Sequence, residues 1–316
     1  LLNPNSSNSQ SSYRTYYAKG YDFWNVSINY GYNSGKYSFS GETATGSCGS
    51  IATINYAGGR VNRSISLHAA QRFYSYKYYA INAKSLSDGG YTQNESGFLT
   101  GIKWTITKRL SLDAYSDICY FPWIKYYTNA SSYSFDNSIS LKYELMEWSF
   151  LAKYNFRIRQ RNNSEKTAII NRYNNKLHIS AIKQSEKFTF TTTADLASLN
   201  FNDNTSIGYS ISENISFQPH KKTSIYIFAS YFNTDDSSSS IYINERNIPG
   251  IFSASSFYDE GIRFSSIVKG TLTSNVIANF KFGFTKYFNR KSISSGLRMI
   301  DSSHQTDIDF SVKYKF

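Results

Sequence analysis

The chain has 316 residues, a net charge of +12 and only two cysteines, which excludes a disulfide framework and a cysteine zinc site. Hydrophobic residues make up 40% and aromatics 17%, with 28 Tyr and 23 Phe, so the apolar mass is concentrated in rings. Mean hydropathy is −0.45 and no apolar run approaches the roughly 18 residues of a membrane helix, yet a barrel strand shows lipid only at every second residue, so a membrane barrel is not excluded.

The opening, LLNPNSSNSQ, is polar and carries no strand pattern. Beyond it two-residue periodicity dominates and helical periodicity is almost absent. Trp24, Val26, Ile28, Tyr30 and Tyr32 share one face; Ile65, Leu67 and Ala69 oppose Ser64, Ser66 and His68. Phe98, Ile102, Trp104 and Ile106 oppose Gly101, Lys103 and Thr105, and Leu110, Leu112, Ala114, Ile118 and Tyr120 oppose Asp113, Asp117 and Cys119. Trp148, Phe150, Tyr154 and Phe156 alternate with Lys153, Asn155, Arg157 and Arg159; Ile207, Tyr209 and Ile211 alternate with Gly208, Ser210 and Ser212. Phe280, Phe282 and Phe284 oppose Lys281, Gly283 and Thr285, and the chain ends TDIDFSVKYKF in the same rhythm.

Strand starts are predicted near residues 22, 36, 50, 61, 96, 109, 134, 147, 174, 187, 204, 222, 259, 273 and 304, with Pro122, Pro219 and Pro249 in connections, where ladder hydrogen bonding places proline. The connections alternate in length. Short ones such as 33–36, 107–110, 145–148 and 184–187 alternate with long ones at 73–95, 121–133, 160–173, 233–258 and 288–303. Short turns on one rim and long loops on the other is the pattern of an outer-membrane barrel.

So many ring-bearing faces exceed what one dry core needs. Closing the sheet with the rings outward puts them against lipid and pairs every backbone group. The expected fold is an all-β, transmembrane, antiparallel up-and-down β-barrel of about 15–16 strands, in a bacterial outer membrane, with residues 1–21 an extracellular or linker segment and 22–316 the barrel. If short turns are periplasmic, the strand at 22 descends from outside. Complete bacterial barrels have even strand numbers, so the odd count predicts at least one strand upstream, in a larger barrel; the alternative is a further ascending strand at 13–20. The aromatics Tyr314 and Phe316, on the ring phase of the last strand, are expected to serve as the assembly signal that such barrels present to the barrel assembly machinery.

No GxSxG, HExxH or phosphate-binding loop is present, and the four His lie at no metal-ligand spacing, so neither enzyme activity nor a cofactor is expected. His68 and His178 fall on polar strand faces. The lumen-lining candidates are Lys103, Asp113, Asp117, Lys142, Lys153, Arg157, Arg159, Arg263, Lys281 and Lys313. Two readings of this modestly positive set stand open: cross-strand pairs that stiffen or plug the wall, or a lumen that favours anions. The net charge of the whole chain suits lipopolysaccharide or phospholipid, nucleic acid, or simply water. The aromatic loops at 73–80 and 120–133 either form an outer girdle that folds over the mouth or stack bases or sugars.

Several segments carry a resemblance: YFPWIKYYTNASS (120–132), SYFNTDDSSSSIYINERNI (230–248), FYDEGIRF (257–264) and SSGLRMIDSSHQTDIDFSVKYKF (294–316). They resemble the barrel domain of helix-hairpin-helix domain-containing outer-membrane proteins of Bacteroidetes, over about residues 20–316. One departure is Glu245 after Asn244, where the family usually has Tyr-Glu. The barrel reading predicts a channel or transport scaffold, the alternative being a plugged barrel that serves as a structural or interaction platform in an envelope complex; the resemblance adds a part in DNA handling at the envelope, with nucleic acid among its partners.

Overall fold

The computed structural model describes residues 12–251 and 255–316. After a short 3-10 turn at Ser12–Arg14, the strands are β1 (Asn25–Asn33), β2 (Tyr37–Gly46), β3 (Ile51–Arg60), β4 (Ile65–Tyr74), β5 (Glu95–Thr105) and β6 (Leu110–Phe121). They continue as β7 (Ser132–Leu145), β8 (Trp148–Asn162), β9 (Ile169–Gln184), β10 (Phe188–Phe201), β11 (Asn204–His220) and β12 (Thr223–Thr234). Two short strands follow, β13 (Ile241–Ile243) and β14 (Ser255–Phe257), then β15 (Glu260–Thr271), β16 (Val276–Tyr287) and β17 (His304–Tyr314). Fifteen of these form one up-and-down antiparallel sheet in chain order, β13 and β14 forming a separate pair. The predicted starts match all fifteen within a few residues.

The phase of the connections is also as expected. One rim carries 34–36, 61–64, 106–109, 146–147, 185–187, 221–222 and 272–275; the other carries 47–50, 75–94, 122–131, 163–168, 235–259 and 288–303, and the link expected to be long at 160–173 is short because β8 runs to Asn162 and β9 starts at Ile169. The tight link at 202–203 falls on the long-loop rim, and it turns because Asn202 (φ 56°) and Asp203 (φ 62°) are both left-handed, as a two-residue hairpin loop requires.

Burial is inverted relative to a soluble sandwich. On the ring face Ile308 is 65% exposed and Phe264 39%; on the polar face Arg72 is fully buried and Lys281 is 4% exposed. Hydrophobic burial cannot favour that arrangement in water, whereas hydrocarbon against the rings does. Rings gather near the strand ends. Trp148 stacks on Phe150 at 5.7 Å with Lys183 over its ring near the short turns, and Tyr120 meets Tyr133 at 4.9 Å near the long loops. Such amphipathic rings suit membrane interfaces.

Two readings are corrected. Residues 13–20 form no strand but a 3-10 turn and coil, so the alternative ascending strand is not there. Pro219 lies inside β11, not in a connection, beside a register shift between Phe217 and His220; a bulge is where a ladder tolerates the missing N–H. The ring face is not uniformly apolar either. The Tyr30 hydroxyl donates to Asn55 Oδ1 (2.6 Å), Asn55 Nδ2 donates to Gln71 Oε1 (2.8 Å), and Thr192 Oγ1 donates to Glu213 (2.6 Å). Mutual hydrogen bonding is how polar groups there limit the cost of meeting lipid.

The chain forms two compact units. The first gathers Leu1–Ser140, Asn155–Asn174 and Phe201–Asp203, the second Leu141–Tyr154, Asn175–Asn200 and Asn204–Phe316. In each, a long loop folds back onto the polar face and buries a small apolar core. In the first, Ala52, Ile54, Tyr74 and Tyr78 pack with Leu86. In the second, Ile241, Ile243 and Phe257 of the β13–β14 pair pack against Phe228, Phe232 and Tyr287.

Candidate functional site

In the first unit the polar face of β4–β6 is built around Arg72. Its Nε donates to Glu95 Oε1 at 2.5 Å and its terminal nitrogens to Asp117 at 3.0 and 2.9 Å. Glu95 also accepts from Ser87 Oγ (2.9 Å) and from the backbone N–H groups of Asp88 (3.0 Å) and Gly89 (2.9 Å). One carboxylate therefore ties the wall to loop 75–94. A buried charge survives only when paired and hydrogen-bonded in this way. Gly97 makes the room: a Cβ there would lie 2.5 Å from Arg72 Cζ. Gly97→Ala is expected to displace the guanidinium and cost about 1–3 kcal/mol, read as a lower midpoint for heat-modifiable gel migration.

Asp88 then links the loop to β8. It accepts from Arg159 at 2.7 Å and Arg157 at 3.3 Å, and Arg157 also pairs with Asp136. Burial alone would raise the Asp88 carboxyl, but the Arg159 hydrogen bond and the charges of Arg159 and Arg157 outweigh it and hold it below the usual range. The stability it contributes is full above the ordinary carboxylate pKa and lost as pH falls through the lowered folded value.

Above this charged wall, at the long-loop rim, the aromatic loops close around a cavity of about 270 Å³. Tyr76 and Trp123 stack at 5.5 Å and 15°, and Tyr16 meets both edge-on at 5.0 Å. Asn94 pins Trp123 by two hydrogen bonds to its backbone (2.7 and 2.9 Å). Tyr126 and Tyr127 stand edge-to-face at 4.6 Å. Two cations here sit over rings: Lys125, its Nζ 3.2 Å from the Phe121 ring centroid, and Arg161, 4.0 Å from that of Tyr127. Burial lowers Lys125 to about 8, against the raising charge of Asp88.

In the second unit residues 235–251 of the long connection lie on the polar face. Glu245 holds it there, accepting from Arg263 Nε at 2.8 Å and pairing with Lys281 at 2.5 Å. Arg263 also reaches Asp307 (2.5 Å) and Thr285 (3.0 Å), while Lys281 donates to Asn247 (2.5 Å). Asp236 anchors the start of the loop, accepting from Ser206 Oγ (2.8 Å) and Ser238 N (2.6 Å).

The ten lumen-lining candidates all fall on the polar face, in different settings. Arg157, Arg159, Asp117, Arg263 and Lys281 belong to the networks above. Lys103 pairs with Asp113 at 3.6 Å and Lys142 with Glu144 at 2.5 Å, both exposed. Lys153 and Lys313 are exposed, with no ion pair among the described residues. Tyr314 and Phe316 lie edge-to-face at 5.2 Å, exposed. Cys48 and Cys119 are free thiols. Sequence reasoning missed Arg72, Glu95 and Asp136, although strand parity already placed them with the polar set. It also missed Glu245 and Asp88, which lie in loops where parity says nothing.

A sheet of this kind, apolar outside and charged on its loop-covered face, defines a transmembrane β-barrel protein of the outer membrane. No family model matches the chain, and no curated protein matches it significantly. Among solved structures it is similar to a mutant of the ferric enterobactin receptor of Pseudomonas aeruginosa, at 9% identity and a TM-score of 0.50, covering 82% of this chain and 43% of the receptor. The chain thus spans under half the length of that receptor. OmpT of Vibrio cholerae is similar at 12% identity and a TM-score of 0.43, covering 93% of this chain and 96% of that one. An anion-selective porin from Comamonas acidovorans follows at 6% identity and 0.44, covering 93% and 100%. These likenesses are of fold alone.

Proposed function

We propose that the protein is an outer-membrane channel or transport scaffold whose passage is narrowed by loops folded onto its polar wall. The carrying observation is connection 235–259, clamped on that wall by Glu245 between Arg263 and Lys281. Charged groups fixed at a constriction set which ions pass. Lipopolysaccharide and the barrel assembly machinery are the partners that membrane placement calls for. Nucleic acid is added by the family resemblance alone, with DNA handling the role it would serve; an envelope complex belongs to the platform reading.

Arg157→Ser with Arg159→Ser removes two positive charges and leaves Asp88 and Asp136 uncompensated. Permeability in planar bilayers is expected to shift several-fold toward cations; unchanged selectivity removes these residues from the pathway. A second reading, a plugged barrel serving as a structural or interaction platform, is favoured by the apolar core packed under the β13–β14 pair. Conductance separates the two, because a folded barrel that passes no current supports the platform and overturns the channel.

A further inference from the structure

The rim cavity of the first unit has a composition that a girdle does not require. The Lys125 ammonium is half-buried and, among the described residues, has no hydrogen-bond or ion-pair partner, only the Phe121 ring. Among the described residues Arg161 likewise has a ring partner and no carboxylate. Arg159 also lines the cavity, with its terminal nitrogen committed to Asp88. Two partly buried cations that line one cavity beside open rings, with no carboxylate of their own among the described residues, suit an anion. Asp88, the acid lining this cavity, is already committed to Arg157 and Arg159.

The rings define the rest of the ligand. Tyr76 and Trp123 stack on each other at 5.5 Å, which leaves no slot for a base between them. The open rings, Tyr126, Tyr127 and Tyr91, are well exposed, and the first two stand at 79°. They offer single faces and hydroxyls, suited to the C–H face and hydroxyls of a sugar rather than to two-sided stacking of a nucleobase. A cavity of about 270 Å³ holds one sugar unit at the small end of ligand sites.

We propose that this cavity binds an acidic sugar residue, its carboxylate or phosphate on Lys125 and Arg161 and its ring on the tyrosines. The site stands independently of whether the barrel conducts. The groups facing Lys125 are Asp88, Glu95 and Cys119, with Arg159 on β8. Since burial holds Lys125 near 8, binding weakens as pH rises through about 8, when the ammonium is lost.

Isothermal titration of the full chain in detergent tests this, with trigalacturonate, lipopolysaccharide core oligosaccharide, neutral maltotriose and adenosine monophosphate as probes. At least one acidic saccharide is expected to bind saturably and at least tenfold tighter than maltotriose. Core oligosaccharide binding tighter assigns the sugar to the cell's own surface, and trigalacturonate binding tighter assigns it to an external glycan. Lys125→Gln and Arg161→Gln should each weaken binding about tenfold, Lys125→Arg should retain it, and Lys125→Gln should abolish the pH dependence. Heat-modifiable migration confirms that each variant is folded. Equal affinity for maltotriose, tighter binding of the nucleotide, no saturable binding of either acidic sugar, or full affinity in both Gln variants overturns the proposal.

Discussion

Glu245→Ala should release connection 235–259 from the polar wall and raise single-channel conductance several-fold in planar bilayers. Among the described residues Glu245 is the one side chain that bonds both Arg263 and Lys281, so its loss strips Lys281 of this carboxylate and leaves Arg263 with Asp307. Removing one partner of a buried pair costs about 3–5 kcal/mol, and the remaining Asp307 contact places this variant at the lower end. Acid should mimic the mutation. Burial favours a raised Glu245 carboxyl, but hydrogen bonds from Arg263 and Lys281 hold it below its usual value of 4.5. Its contribution is therefore complete above that value and fades as pH falls through the lowered one. Conductance and melting that match the parent, at neutral pH and in acid alike, would show that the loop is held by its apolar core instead.

Arg72→Ala carries the largest expected loss of stability. It leaves Glu95 and Asp117 facing each other across a wall from which water is excluded, for a cost of about 3–5 kcal/mol, read from urea unfolding in detergent. Glu95 keeps its three loop donors, so the damage concentrates on Asp117 and on the packing around Cys119. Combining Arg72→Met with Asp117→Asn removes the orphaned charge and should recover much of the loss. If the double variant is no more stable than Arg72→Ala, the guanidinium matters for its volume beside Gly97 and not for its charge.

How far the chain discloses its own fold varies along its length. Alternation placed each long strand, because side chains in a strand point to opposite faces with a period of two. The same parity assigned Lys103, Asp113, Arg157, Arg263 and Lys281 to one face without any structure. It held for Arg72 and Glu95 too, where FYSYK and its neighbours drew attention to the loop instead. Pro219 misled because a bulge, set by the register with β12, admits a proline that an unbroken ladder would not. The β13–β14 pair escaped notice because three-residue strands carry too few alternations to be read.

Period-two patterning with rings on one phase, and the alternation of short and long connections, were sufficient by themselves for an outer-membrane barrel, since both are local properties of consecutive residues. Which charges meet was decided only in three dimensions. Arg263 finds Glu245 from a loop and Asp307 from a strand 44 positions away in sequence, and Asp88 finds two arginines across loop 75–94 and β8. Those pairings depend on where long loops fold back, which is set by the apolar residues they bury and by buried ions needing partners, not by any periodicity in the chain.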